Sequence, residues 1–433
     1  MRAKLFRIGI VVISFVMLLA GCRQINDAFQ TESPREKYVK EINDSPLANN
    51  EMVKRWISQG DSILSRAAPV DLPYQTRVVY FHDEPNARAW TFDLPQGRSF
   101  RAHIAQQDTA HQLFVELYSL QGGESQLEQT GNDSLLSYTL DEDQKLVLRV
   151  QPELLVTGSA TITFTDNPSM KFPVKDGMRA DIGSFWGDPR DGGARKHKGV
   201  DIFADRGTPV VAVANGRISR SGNRGLGGKQ VWLRANGKSM YYAHLDSINA
   251  SMLQNVQQGD TVGFVGNSGN ARTTPTHLHF SIYDRGAINP LPFIDFSNQQ
   301  AEPISANPLA FSKWGRIAAP KANVRPLPST QKEPIASLKR HNPVRITGAT
   351  GEWYAVQLPD GTPGFIYQSL VAPASNRLRT QQLTARSKLY HTFTGRQSIM
   401  QIDSVRMVEV FGSYQNRQLV KFQNHWVWLD DAG

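Results

Sequence analysis

The sequence predicts a mainly β protein built from several domains. At 433 residues the chain is longer than one hydrophobic core usually serves, so about three or four domains are expected. Short runs of alternating apolar and polar residues recur between 74 and 165 and again after 320. Glycine, proline and asparagine separate many of these runs, which is typical of short antiparallel strands joined by turns.

Residues 1–22 have the features of an export signal. A basic start precedes an apolar run at 8–20, which is thirteen residues long. A bilayer span needs about 20 residues, so the run fits a signal-peptide core instead. It ends in Leu-Ala-Gly-Cys22, which resembles a bacterial lipobox and predicts cleavage before Cys22 and lipid attachment to it. The alternative is an ordinary secretory signal with an incidental cysteine.

Cys22 is the only cysteine, so the mature chain has no disulfide framework and its domains depend on their own cores. The lipobox predicts a lipid-anchored protein of the cell envelope. Residue 23 is Arg23 rather than Asp, which in a Gram-negative envelope favours the outer membrane, facing the periplasm.

Residues 23–69 are predicted to form a polar tether followed by a short helix. Apolar residues between Glu51 and Ala67 recur at helical spacing, with Asn50 as the N-cap. Residues 70–168 contain several short alternating runs and predict an accessory β-sandwich. His82, His103 and His111 fall in this region, but their spacing matches no ligand pattern, so surface or structural roles are expected.

Four of the ten histidines lie between 197 and 279, and Asp201 follows the first of them by four residues. Nitrogen and oxygen ligands of this kind suit zinc. On an alternating strand at 276–283, His277 and His279 would share one face, roughly 6–7 Å apart. His197 and Asp201 would be about 13 Å apart on a flat strand, so a bend at Lys198-Gly199 is expected to bring them together.

The stretch from Phe185 to Ile218, with the later motifs Y-A-H-L, V-G-N-S-G and H-L-H-F, resembles the lysostaphin-type zinc metallopeptidases, which are peptidoglycan endopeptidases. The resemblance covers about 172–296 and implies an antiparallel β domain holding one Zn²⁺. It implies three zinc ligands, His197, Asp201 and His279, and two catalytic histidines, His244 and His277. Thr276 departs from the proline that relatives often have before this histidine.

A three-ligand zinc site of this kind leaves a fourth position for water, which is the catalytic arrangement. No H-E-x-x-H motif supplies a glutamate base, so His244 and His277 are expected to take the proton of the attacking water and to stabilise the oxyanion. Which histidine does which is left open at this point. Tyr242, two residues before His244, is a weaker candidate for binding substrate, with core packing as the alternative.

Residues 297–315 are predicted to be a linker. The runs between 316 and 375 resemble a bacterial Src-homology-3-like barrel, and 378–433 is predicted to be a second, weaker copy. The net formal charge is +9, and residues 313–345 hold eight Lys or Arg against one acid, Glu333. Such a surface attracts acidic polymers, and peptidoglycan or anionic lipid fits better than nucleic acid, which an exported protein rarely meets.

Together these observations predict a membrane-anchored, zinc-dependent endopeptidase that hydrolyses peptide bonds, as cross-links, in peptidoglycan. Its expected partners are peptidoglycan, the membrane through lipidated Cys22, and a regulatory envelope protein. The alternative is a non-catalytic scaffold that binds peptidoglycan or activates another wall hydrolase.

Overall fold

A computed structural model describes residues 32–131, 134–296, 300–383, 387–399 and 406–430. Strands account for 48% of the structure and helices for 12%, which confirms the mainly β class. The predicted signal segment, including Cys22, lies outside the described residues. Within those ranges, no helix combines the length and apolar character that crossing a membrane requires.

Two helices, α1 (Pro34–Asn43) and α2 (Glu51–Ser62), precede the first sheet. The Asn50 side chain caps α2 by accepting from the N–H of Met52, as the sequence predicts, but the helix ends at Ser62. Helix α1 lies within the predicted tether and begins with a capping box formed by Ser33 and Glu36. Ile42 of this helix is buried, and the centroid of the Tyr38 ring lies 5.5 Å from that of Trp56 in α2, so this part of the tether is a packed helix.

The N-terminal strands form two facing sheets over one apolar core. They are β1 (Ala68–Pro69), β2 (Tyr74–Tyr80), β3 (Arg88–Leu94), β4 (Arg98–Gln106), β5 (Leu113–Gln121), β6 (Glu124–Thr130), β7 (Leu135–Thr139), β8 (Gln144–Pro152) and β9 (Gly158–Pro168). One sheet has the order β1-β3-β8-β5-β6, and the other contains β2-β9-β4-β7. The rings of Phe92 and Phe100 stack between the sheets with centroids 4.6 Å apart, so both sheets contribute to the core.

The next strands build the domain that carries the histidines. They are β10 (Ile182–Ser184), β11 (Pro189–Arg190), β12 (Arg195–Lys196), β13 (Val200–Phe203), β14 (Pro209–Val211), β15 (Gly216–Asn223), β16 (Lys229–Ala235), β17 (Lys238–Leu245), β18 (Ser247–Ile248), β19 (Asn255–Val256), β20 (Thr261–Phe264), β21 (His277–Asp284) and β22 (Gly286–Ile288), with helix α3 (Leu291–Ile294) after them. Its main sheet is antiparallel, in the order β10-β13-β21-β17-β16-β15-β19. The β14-β20-β18 sheet contributes to the same core.

The C-terminal strands form open sheets. They are β23 (Trp314–Ile317), β24 (Lys321–Val324), β25 (Ala336–Lys339), β26 (Pro343–Thr350), β27 (Trp353–Gln357), β28 (Pro363–Tyr367), β29 (Val371–Pro373), β30 (Arg379–Leu383), β31 (Leu389–Tyr390), β32 (Arg406–Tyr414), β33 (Arg417–Phe422) and β34 (His425–Asp430). No sheet closes into a barrel among the described residues. The strands β23–β29 form the first C-terminal module and β30–β34 the second. The two modules share a core, in which the rings of Trp314 and Trp428 meet edge-on with centroids 5.7 Å apart.

The N-terminal sandwich and the first C-terminal module share one continuous sheet. Strand β2 pairs with β26, placing Arg77 opposite Ala349 and Val78 opposite Gly348. The predicted linker is also packed rather than free, because the N–H of Ala306 donates to the carbonyl of Gly351. The first C-terminal module is therefore fixed to the sandwich by backbone pairing as well as by side chains.

Candidate metal centre

The two histidines of β21 lie on the face opposite the core. Leu278, Phe280 and Ile282 are fully buried in the core, as the sequence alternation predicts. His277 and His279 alternate with them and lie on the opposite face of the sheet, here called the groove face. The strand therefore anchors both histidines by the apolar residues between them.

Strand β13 brings Asp201 beside His279. The two residues are directly paired across the strands, and His197 lies just before β13. Gly199 passes so close to β21 that an added Cβ would lie 2.5 Å from the carbonyl oxygen of Phe280. The predicted bend is present, and glycine is required there because of this close backbone approach.

His197, Asp201 and His279 form one cluster, whose ligand atoms all lie within 4.8 Å of one another. Nε2 of His197 is 3.1 Å from Oδ1 of Asp201, and Nδ1 of His279 is 2.8 Å from the same oxygen. The two ring nitrogens are 3.0 Å apart. Two imidazole nitrogens and one carboxylate oxygen converging in this way are a donor set that suits zinc.

The other polar atoms of these three residues are held by their surroundings. Nδ1 of His197 is 2.9 Å from the carbonyl oxygen of Phe185, and Nε2 of His279 is 2.9 Å from Oγ of Ser281. Arg190 donates to Oδ2 of Asp201 at 2.5 Å. Such outer contacts fix ring orientation and the ligating atom, so the residues fit a metal.

The protonation states of Asp201 and His279 also favour metal binding. Burial alone would raise the pKa of Asp201, but the contacts with His197 and His279 outweigh it and hold that pKa well below its usual range. Burial lowers the pKa of His279, opposed by Asp201. Both shifts favour an ionised carboxylate beside a neutral imidazole, which are the protonation states that bind a metal.

His244 reaches the groove through a local irregularity in β17. Tyr241 and Ala243 lie on the groove face, so strict alternation would point His244 towards the core. Its backbone is instead left-handed, with φ 63°, where the pairing of β16 with β17 shifts register. Ser268 holds this conformation, because its N–H donates to the carbonyl of His244 and its own carbonyl lies 2.9 Å from Nδ1 of His244.

His244 and His277 form a second pair beside the cluster, with ring centroids 5.2 Å apart. Nδ1 of His277 is 2.8 Å from the carbonyl oxygen of Pro275. A carbonyl can only accept, so in each neutral ring Nδ1 carries the proton and Nε2 is the acceptor. Burial lowers the pKa of His244 to about 4, with its contact to Ser268 opposing the shift, so this ring is neutral near pH 7.

Tyr242 does not line the groove, so its predicted role in substrate binding is wrong. The side chain is fully buried, and its hydroxyl accepts from the N–H of Val213. It pairs with Phe280 on the core face of the sheet. Tyr241 occupies the groove face instead. The centroid of its ring lies 6.0 Å from that of His279 and 4.5 Å from that of Trp232.

The three histidines of the sandwich are not part of this cluster. His103 is exposed, His82 contacts Thr157, and His111 lies 2.9 Å from the hydroxyl of Tyr80. Among the described residues, the one group suited to hold a metal is His197, Asp201 and His279. Arg190, Ser268 and Tyr241 are the neighbours that sequence reasoning did not select.

Comparison with known families agrees with this geometry. Residues 195–290 match Peptidase family M23. The chain contains a lysostaphin-type M23 domain. Residues 320–372 match the Bacterial SH3 domain, so the M23 domain is followed by an SH3-like region. M23 is a zinc-dependent family, in accord with the donor set.

Several known proteins are similar to part of this chain. The chain is 41% identical over 99 residues to the DD-carboxypeptidase/endopeptidase Mpg of Neisseria meningitidis, covering 22% of each protein. It is 38% identical over 109 residues to the L-Ala–D-Glu endopeptidase of Bacillus subtilis, covering 23% of this chain and 33% of that one. The solved catalytic domain of lysostaphin from Staphylococcus simulans is 33% identical, with 26% of this chain and 89% of that chain covered and a TM-score of 0.24.

The aligned part spans between about a fifth and a third of the length of the two curated relatives. The aligned parts make up 22–23% of this chain.

Proposed function

We propose that this protein is a zinc-dependent endopeptidase that hydrolyses peptide cross-links of peptidoglycan in the bacterial envelope. The observation that carries the proposal is that five residues far apart in the sequence lie side by side. His197, Asp201 and His279 supply three donor atoms, and His244 and His277 stand beside them. A chain that only bound the wall would not need both sets together.

The residues suit hydrolysis of a peptide bond. Zn²⁺ held by His197, Asp201 and His279 would supply Lewis acidity, which polarises a carbonyl and lowers the pKa of water. In their neutral forms, His244 and His277 each present Nε2, which can accept the proton of an attacking water. Once protonated, such a ring can donate to a developing oxyanion. The two histidines divide these roles.

The location is also part of the proposal. Cleavage before Cys22 and lipidation of that residue would anchor the enzyme in the envelope, and Arg23 favours the outer membrane, facing the periplasm. The support is the basic start, the short apolar run and the Leu-Ala-Gly-Cys22 sequence. An envelope location places the groove in the compartment that holds peptidoglycan.

The test uses the full chain, loaded with zinc and incubated with purified sacculi. Release of soluble, less cross-linked fragments is expected, and a chelator should abolish it. Mass spectrometry of the new amino and carboxyl ends identifies the bond cleaved.

His279→Ala should be inactive in this assay, whereas His103→Ala, which replaces an exposed histidine on the sandwich, should match the wild type. If the zinc-loaded protein binds sacculi without releasing fragments, the scaffold alternative replaces this proposal.

A further inference from the structure

A cavity of about 790 Å³ lies where one edge of the sandwich meets the first C-terminal module. Most of its wall belongs to the sandwich, namely residues 69–75, residues 91–94, Lys145 and Asp166. Ligand sites in proteins commonly measure about 300–1,000 Å³, so this cavity, here called the edge cavity, has room for several residues of a ligand.

The two parts of the chain that form the edge cavity are fixed to each other. Gln75 and Thr350 both line it, and Oγ1 of Thr350 donates to the carbonyl of Gln75 at 2.7 Å. Beside them, Oγ1 of Thr76 donates to the carbonyl of Ala349 at 3.1 Å. The cavity is therefore formed before any ligand binds.

Strand β3 presents its edge to the edge cavity. Successive side chains of a strand point to opposite faces, yet four consecutive residues, 91–94, line this cavity. Phe92 and Leu94 are buried in the core of the sandwich, whereas Asp93 between them is exposed. A wall that includes residues of both faces is formed by the backbone edge of the strand.

This edge of β3 is only partly paired. Strand β1 pairs with it at Trp90 and Thr91, and within the described ranges no other strand pairs with that side. The N–H of Val70 donates to the carbonyl of Thr91, so by alternation the backbone N–H and carbonyl of Asp93 point the same way. Unpaired groups of this kind can accept a strand from another chain.

The wall of the edge cavity has more acidic than basic side chains. The lining carboxylates are Asp71, Asp93, Asp166 and Glu302, and the lining lysines are Lys145 and Lys332. Among the described residues, Asp166 is the one carboxylate of these four that has an ion pair, with Arg98 at 2.7 Å. Although the chain has a net formal charge of +9, this local surplus of carboxylates favours a basic ligand.

We propose that the edge cavity binds an extended, basic segment of a partner protein, which adds to the edge of β3 as a further strand. The backbone of Asp93 provides hydrogen bonds to the added strand, and lysine or arginine side chains of the partner face Asp71 and Asp93. The unpaired end of β3 accommodates about 10 Å of such a strand, at roughly 3.3 Å for each residue.

The test measures binding of a synthetic peptide to the full chain. The probe is the blocked hexapeptide Lys-Val-Lys-Val-Lys-Val, and it is compared with the same peptide carrying glutamate for lysine and with a form methylated on every backbone amide. We expect the lysine peptide to bind and both others to bind at least about tenfold more weakly. The glutamate peptide loses the charge complementarity, and the methylated peptide loses its backbone donors.

Hydrogen exchange and one variant locate the binding site. The lysine peptide should slow exchange of the backbone amide of Asp93, because that N–H gains an acceptor. Asp93→Lys should weaken binding at least about tenfold. The matched control is Glu124→Lys, an equal change of charge at an exposed position of β6, which is the opposite edge of the same sheet. It should bind within about twofold of the wild type, since screened surface charges contribute little.

Failure of the lysine peptide to bind would overturn the inference. So would equal binding of the methylated peptide, or displacement of the probe by an equal concentration of spermine, because charge alone would then explain binding. A dimer of the unliganded chain that Asp93→Lys dissociates would also overturn it, since the edge would then pair with a second copy.

None of the residues that line the edge cavity belongs to the metal centre. Peptide binding is measured without a hydrolysis step, so loss of the proposed peptidase function would leave the binding result intact, and failure of the peptide to bind would leave the proposed function intact.

Discussion

Arg190 holds one oxygen of Asp201, and the other oxygen faces the histidines. The guanidinium donates to Oδ2 at 2.5 Å, whereas Oδ1 lies 3.1 Å from His197 and 2.8 Å from His279. A second bond from Arg190 to Oγ of Ser184 fixes the arginine on the β11–β12 hairpin. Arg190 is thus a positioning residue, which decides the oxygen that Asp201 offers to a metal.

Arg190→Gln is expected to weaken zinc binding by about 10- to 100-fold, the usual effect of removing an outer contact of a ligand. Competition against a chelating dye measures this without reference to activity. Arg195→Gln is the matched control, because Arg195 lies on the same hairpin but pairs with the exposed Asp191. Equal zinc affinities in Arg190→Gln and the wild type would contradict the positioning role.

The division between ligands and working histidines predicts opposite metal contents in two variants. His279→Ala should lose stoichiometric zinc, because one of three donors is removed. His277→Ala should retain one zinc per chain and lose at least about 100-fold in turnover, since only proton transfer is impaired. Elemental analysis and the sacculus assay measure the two properties. Loss of zinc in both variants would show that the roles are assigned wrongly.

Tyr242→Phe is expected to lower the free energy of unfolding by about 1–2 kcal/mol, because the buried N–H of Val213 loses its acceptor. Turnover by the folded protein should not change, since the side chain faces the core. Tyr241→Ala, on the groove face, should instead raise KM. Denaturant titration and steady-state kinetics separate the two effects, and a raised KM in Tyr242→Phe would contradict the core placement.

The ion pairs of Glu84 with Arg345 and Lys313 join the sandwich to the first C-terminal module, and we expect them to be sensitive to acid. Burial alone would raise its pKa, but Arg345 and Lys313 outweigh it and lower that pKa. A carboxylate with a lowered folded-state pKa stabilises the fold above its unfolded-state pKa of about 4.3. The contribution is lost as the pH falls through the folded-state value.

Glu84→Gln should therefore lower the free energy of unfolding by about 2 kcal/mol at pH 7, and the difference from the wild type should shrink below about pH 4. Denaturant titrations at several pH values check this. Glu124→Gln, on an exposed hairpin, serves as the control. A difference that stays constant as the pH falls would show that the charge of Glu84 is not responsible.

Much of the site could be predicted because strand alternation is a simple rule. The period of two placed Leu278, Phe280 and Ile282 inward and both histidines outward, as observed. The same rule failed for Tyr242, which is two residues before His244 and was expected on its face. The left-handed backbone at His244 breaks the alternation of β17, so His244 lies on the groove face although Tyr242 faces the core. The residue of β17 on the groove face is therefore Tyr241.

The contacts that orient the site were harder to foresee. Ser268 holds His244 from 24 residues away, and Arg190 reaches Asp201 from another hairpin. Neither residue type has a spacing that marks it in the sequence. The pairing of β2 with β26 could not be predicted from the sequence either. It depends on which strand edges meet in the folded chain and not on the composition of the strands.

This pairing has a consequence for how the chain reaches its native state. Thr76 and Ala349 are joined by a hydrogen bond although 273 residues separate them, and Thr350 donates to the carbonyl of Gln75. During synthesis β2 is complete long before β26, and an unpaired strand edge is prone to pair with other chains. A fragment that ends before residue 343 would keep this edge open. The sandwich is thus expected to stay soluble as part of the whole chain and to aggregate when it is produced alone.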